Sequence, residues 1–476
     1  MRNLKRCMLC LLVCAALCTG LSACGKTQPA PAPTAAPETP APETPAPTPA
    51  PSPEETEPPA VMIGALRLDA ESACVDLGGA GEEIGDAVRA LVDSRALLPS
   101  LREIRLGETL PPYELYRSLC EAYPEAQIEL ELRLFDEPLA RGVRSLDLHE
   151  MRPGQTDELL AVLPYLEELE EIGFVSPEGV CAFTPDDIPQ LDRIREAAPE
   201  LRLHVSFDLF GRTVSDEDER IEYCLAPIGN EGVETLRAVL PYLRSCSYFL
   251  LDGCDIDNEI LAQLRDDFPD TKIVWRVWII EPWYSSPVMM RRGSFLTDTE
   301  RIRTTLVRPE NCDVLKYCTE TKYVDFGHNF LMSDFSFLAC MPKLEACIIA
   351  ISRVSDLTPL ASCPELEYLE VFTTDVADLS PLTNCKKLEY LNISNCKRLT
   401  DITPLYGMTS LKVLRMTATL NVPREQKEEL ARRLPDLTIL NVGADPTEGG
   451  WRTMPRYFLL REQMKYDEDW LLYGIP

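Results

Sequence analysis

Between residues 344 and 419 the chain repeats itself at a nearly fixed interval. Leu344, Leu366 and Leu388 stand 22 residues apart, and Leu411 follows after 23. Each opens the frame L-x-x-L-x-L-x-x-(N/C/T/S), read as Leu344, Cys347, Ile349, Ser352; Leu366, Leu369, Val371, Thr374; Leu388, Leu391, Ile393, Cys396; and Leu411, Leu414, Met416, Thr419. Val324, Phe326 and Asn329 form a weaker earlier copy. A second phrase follows three of the frames in register: SDLTPL at 355–360, ADLSPL at 377–382 and TDITPL at 400–405. A unit this short holds one strand and one return segment, so it buries its apolar face only by stacking on its neighbours. The alternating apolar positions point inward, the small polar or thiol residue turns the chain, and the Pro of the second phrase shapes the return.

This frame resembles the leucine-rich repeat, in the short bacterial form of internalin-like surface proteins. The resemblance implies a solenoid with a parallel sheet lining one face, a face that in this family holds partners. Upstream, a longer pattern takes over. ALLPSLREIRL at 96–106, AVLPYLEELEEIGF at 161–174 and AVLPYLRSCSYFLL at 238–251 are one motif, each after an amphipathic helical stretch. AYPEAQIELEL at 122–132, AAPELRLHVSF at 197–207 and DFPDTKIVWRV at 267–277 interleave with it. Alternating helix and strand at this spacing predicts right-handed crossovers onto a parallel sheet. The expected class is therefore α/β: a leucine-rich-repeat solenoid with a parallel sheet, and longer irregular helix–strand repeats in the N-terminal half. A separate α/β domain there is the competing reading.

The N-terminus predicts where the chain resides. Arg2, Lys5 and Arg6 precede a short apolar run at 7–21, as in a signal peptide. LSAC at 21–24 resembles the lipobox of bacterial lipoproteins, which implies cleavage before Cys24 and lipid attachment (diacylglycerol and fatty acyl such as palmitate) at that residue. The following stretch, 28–60, is Pro, Ala, Thr and Glu without glycine. Such a stretch favours extended polyproline II and reaches roughly 100 Å at about 3.1 Å per residue, a stalk. The expected organisation is a signal peptide at 1–24, a Pro-rich linker at 25–60, a divergent repeat-like region at 61–290, a leucine-rich-repeat domain at 291–445 and a C-terminal cap at 446–476. The tail from Trp451 onward is expected to close the exposed end of the stack.

Acidic composition, with 77 Asp+Glu against 47 Lys+Arg, disfavours nucleic acid as a partner. Chemistry is hard to find. The three histidines lack metal-site spacing, and no GxSxG, phosphate-loop or dinucleotide motif occurs. Five of the 18 cysteines lie within the first 24 residues; the other 13 contain no CxxC, and most sit in apolar contexts as small buried hydrophobes. The loop DGCDIDNEI at 252–260 gathers four carboxylates, either for calcium or, with Asp257 or Asn258, to cap the next helix. The aromatic run WRVWIIEPWY at 275–284 reads as a buried strand or a carbohydrate platform. No catalytic residue, cofactor or metal is expected.

The best binding candidates are the repeat positions beside the buried leucines. Tyr323, Tyr368 and Tyr390 form one row, Asp325, Glu370, Asn392 and Arg415 the next, and Phe372 and Ser394 a third. Exposed tyrosines on a rigid sheet give large contact area at small entropic cost; repetition of LEYL by duplication alone is the competing explanation. The expected function is a monomeric, non-catalytic lipoprotein, anchored to the outer face of a Gram-positive membrane, whose concave face binds a protein or cell-wall/glycan partner. A solute-binding lipoprotein and an enzyme with a site in 61–290 are the alternatives.

Overall fold

A computed structural model describes residues 60–282, 289–443 and 445–466. The signal, Cys24, nearly all of the Pro-rich stretch, Trp283, Tyr284 and the last ten residues lie outside them.

The 22-residue period becomes a seven-stranded parallel sheet in strict chain order, from Arg301–Arg303 through Tyr323–Asp325, Ala346–Ile348, Tyr368–Glu370, Tyr390–Asn392 and Val413–Arg415 to Thr438–Leu440. Equivalent frame positions pair directly: Cys347 with Leu369, Leu369 with Leu391, Leu391 with Leu414. The weak early copy is in register too, Val324 opposite Cys347. This is the leucine-rich-repeat arrangement, and each letter of the frame has a physical task. Leu369, Val371, Leu391 and Ile393 are wholly buried in the main core. Ser352, Thr374 and Thr419 donate their hydroxyls to the carbonyl three residues earlier, at 2.6–2.8 Å. Cys396 in the same place donates its thiol to Val371 O of the preceding repeat. Such bonds satisfy backbone acceptors where the strand turns away from its ladder.

The second phrase builds the convex return. Asp356, Asp378 and Asp401 each accept the amide two residues on, at 2.8–2.9 Å. These Asx turns lead into the 3-10 turns Thr358–Ser362, Ser380–Asn384 and Thr403–Gly407, with the Pro in the first turn where no N–H is missed. Cys363 and Cys385 close the stack by donating to Leu338 O and Leu360 O one repeat back.

The N-terminal half is three copies of a longer module. A two-stranded hairpin leads into strand–helix–strand–helix–strand, and the three strands run parallel in one sheet: Cys74–Asp76, Glu103–Gly107, Gln127–Leu130; then Ser145–Asp147, Glu171–Gly173, Arg202–His204; then Arg220–Cys224, Tyr248–Asp252, Lys272–Pro282, where a fourth strand, Met289–Leu296, adds antiparallel to the last. Module starts at Cys74, Ser145 and Arg220 are 71 and 75 residues apart. The hairpins were not expected. Two of them turn through Phe135-Asp136 and Phe210-Gly211, all four at positive φ, the mirror-image turn geometry that suits twisted strands. They break the sheet between modules, while the apolar core runs unbroken from Val61 to Leu434. Neither one continuous sheet nor an independent α/β core describes this half, and the 290/291 boundary falls inside the strand Met289–Leu296. Among the described residues no helix is long and apolar enough to cross a membrane.

Candidate functional site

The first two of the three expected rows are set side by side by the strand register. Tyr323, Ala346, Tyr368, Tyr390 and Val413 stand opposite one another across five strands, as do Asp325, Ile348, Glu370, Asn392 and Arg415. Because side chains alternate along a strand, both rows face away from the leucine core. Their exposure is the correction. Tyr323, Tyr368, Phe372, Glu370, Asn392, Ser394 and Arg415 are all buried, and Tyr390 and Asp325 are half-buried.

What buries them is the C-terminal segment, which crosses the concave face instead of capping the end of the stack. Trp451, Leu460 and Met464 pack with Tyr323, Ile348, Ala350, Tyr368 and Phe372 into a second apolar cluster on the sheet's other side. Apolar area drives this placement: the rows offer Tyr, Phe, Ile and Ala side chains, and the segment offers Trp, Leu and Met. The Trp451 ring lies 5.5 Å from that of Tyr368, which in turn lies 6.2 Å from Tyr390.

Polar groups then fix the register. Glu370, fully buried in the central strand, accepts from Trp451 Nε1 at 2.9 Å and from Arg452 Nη1 and Nη2 at 2.6 and 2.8 Å, while the Tyr368 hydroxyl also donates to it. Burial opposes the Arg452 charge, but Glu370 and nearby tyrosines outweigh it and raise its pKa. Burial, reinforced by the adjacent Glu370 carboxylate, also holds the Tyr368 phenol well above its ordinary value. Farther along, Tyr466 donates to Asp325 at 2.7 Å, with the Arg303 guanidinium 4.6 Å from its ring. Tyr323 donates to Glu345 at 2.9 Å, and burial pushes its pKa up to about 12. At the other end Arg415 clasps the segment's backbone, donating Nε to Pro446 O at 2.7 Å and Nη2 to Asp445 O at 2.8 Å and Val442 O at 3.2 Å. Asn392 joins it on Pro446 O at 3.0 Å.

The other sequence candidates resolve differently. In the 252–260 loop three of the four carboxylates are spent separately: Asp252 on Arg276, Asp257 on Asn230 and Glu259 on the Tyr317 hydroxyl. Asp257 occupies the N-cap position of the helix Asn258–Asp267 but makes no side-chain capping bond. Among the described residues no group of His, Cys, Asp or Glu is arranged to hold a metal ion. Trp275 is buried, donates to Asn258 and packs 5.7 Å from Tyr317, as a core strand residue does. The 13 cysteines from Cys74 onward are unpaired thiols, eight of them buried.

Sequence reasoning missed Trp451, Arg452 and Tyr466. One signal was available: Trp451, Leu460 and Met464 are more apolar side chains than the end of a short stack needs, and a glycine pair at 449–450 precedes them.

No protein-family model and no curated protein matches the chain. Solved structures with similarity include internalin C2 from Listeria monocytogenes, at 19% identity over 31% of this chain and 75% of that one, TM-score 0.26. A second Listeria monocytogenes internalin aligns at 12% identity over 74% and 78%, TM-score 0.24. A leucine-rich-repeat protein from Leptospira interrogans aligns at 13% over 78% and 96%, TM-score 0.28. The leucine-rich-repeat fold itself stands on the register of the seven strands.

Proposed function

We propose that this chain is a cell-surface lipoprotein that recognises a protein or cell-wall/glycan partner through the concave side of its repeat sheet, without catalysis. A lipid on Cys24 would anchor it to the outer face of a Gram-positive membrane, and the Pro-rich stretch would lift the repeats away from the bilayer. One observation carries the reading. The concave side holds a segment of polypeptide through a few aromatic and charged side chains around Glu370. A rigid sheet bearing Tyr368, Tyr390, Glu370 and Arg415 in fixed rows is thus chemically equipped to bind peptide, the kind of anchor-based recognition that concentrates affinity in few residues.

The test is a photo-crosslinking amino acid at Tyr390, half-buried on the concave side, against the same group at exposed Asn384 on the convex return. Incubated with bacterial surface extract, the Tyr390 probe is expected to yield a defined adduct that the Asn384 probe does not. Equal labelling from both positions would contradict concave recognition. Replacing Cys24 by Ala is expected to release the chain from membranes and abolish incorporation of a labelled fatty acid.

A further inference from the structure

Taking the concave side as the recognition surface, we infer that the site around Glu370 is a receptor for a peptide presenting an aromatic–arginine pair, and that residues 445–466 are its internal occupant, which a partner displaces. The first ground is the identity of the residue at the centre. The neighbouring strand has Ile348 in the same row, enough for a face that only needs covering. A carboxylate in that place is costly to bury unless a cation with matching hydrogen bonds sits on it. Trp451 and Arg452 supply that match from two adjacent residues, with three donors on one carboxylate.

The second ground is incomplete fit. On the sheet, Arg415 Nη1 and Thr417 Oγ1 are buried without a hydrogen-bond partner. Arg415 is fully buried, and its free Nη1 lies on the face the segment covers. Permanent core rarely leaves such groups unmet, whereas a stand-in ligand leaves what the proper ligand would use. The third ground is the means of opening. Gly443, Gly449 and Gly450 adopt left-handed φ of 97°, 62° and 96° between the last strand and Trp451. Tethering gives the internal occupant a high effective concentration, so a partner binds with an apparent affinity reduced by the closed fraction.

The experiment uses the full chain and two labelled peptides. One spans residues 447–466. The other keeps only the counterparts of Trp451, Arg452 and Tyr466 at their spacing, with other positions changed to Ala, Gln or Lys. A Trp451→Ala/Arg452→Ala chain is expected to bind both at least about tenfold more tightly than the parent does, and Glu370→Gln in that background to weaken both by about tenfold or more. As a second route, the parent chain carrying a protease site at Thr447-Glu448, where Glu448 is exposed, is nicked, and exchange of its segment for either peptide is followed. Binding of both peptides by either route supports the inference. Binding of the native peptide alone overturns it, because the face then accepts only its own piece; binding of neither by both routes also overturns it. Should the peptides fail while the Tyr390 crosslink persists, concave recognition stands without this chemistry; failure of both removes both.

Discussion

Arg452 grips both oxygens of Glu370, a residue 82 positions earlier in the chain, at 2.6 and 2.8 Å. Glu370 is fully buried and Arg452 is largely so, so neither charge is cheap to leave alone. The pair ties the C-terminal segment to the middle of the repeat sheet, and local predictions about stability follow from that tie and from the ladders beneath it.

Removing the Trp451 ring is expected to open the segment without unfolding the repeats. A fully buried Trp replaced by Ala costs about 3–5 kcal/mol, or more than about a hundredfold in a local opening equilibrium. In Trp451→Ala, amides of the helix Pro455–Gln463 should exchange at least about a hundredfold faster, while those of Leu369 and Leu391 keep their protection.

Asn329 is the N of the earliest repeat frame and is wholly buried. It accepts from Val307 N at 3.1 Å and donates to Thr304 O and Phe326 O at 2.9 and 2.8 Å. Asn329→Ala leaves those backbone groups unmet in the core, a loss of about 2–4 kcal/mol by urea titration.

His328, Ile351, Thr373, Asn395 and Ala418 all hold φ between 56° and 64° where each repeat leaves the sheet. Four of them donate their amide across to the next repeat at 2.8–3.0 Å, which compensates the strained backbone. Ala418 is exposed and makes no use of its side chain. Ala418→Gly is therefore expected to stabilise by about 0.5–1 kcal/mol, the left-handed penalty of roughly 1–2 kcal/mol less the extra chain entropy of glycine.

Alkaline pH should weaken the repeats through their thiols. Burial pushes Cys312 and Cys363 up from an ordinary 9.0 to about 12, and Cys385 to about 11. Above pH 9 the unfolded chain releases these protons while the native chain keeps them. The unfolded state then binds fewer protons, so stability is full below pH 9 and falls as pH rises towards 11–12. Urea midpoints measured from pH 8 to 11 should decline accordingly. At pH 8 a thiol reagent should modify exposed Cys74, Cys224 and Cys340 well before the buried set.

The repeats were legible because their signal is periodic: Leu366 and Leu388 announce a shared register, and the structure pairs Tyr368 with Tyr390 as that register requires. The fate of the rows was not legible. Whether Tyr368 and Glu370 see water depends on Trp451 and Arg452, and no local window spans that separation. The hairpins escaped for a different reason: Phe135-Asp136 takes up a turn usually marked by Asn-Gly, so the strand pattern ran on without punctuation. Cys363 and Cys385 read correctly as buried, but their thiol bonds to the preceding repeat needed the stack itself.

The central claim is that the concave side of the sheet holds the C-terminal segment through Glu370, and a double-mutant cycle tests it most directly. Unfolding free energies of the parent, Glu370→Gln, Arg452→Ala and the double variant isolate the coupling of the two side chains. The account predicts a coupling of about 1.5–3 kcal/mol, as hydrogen bonds between charged partners give. Additivity within about 0.5 kcal/mol would contradict it, and would place the segment somewhere other than on that face.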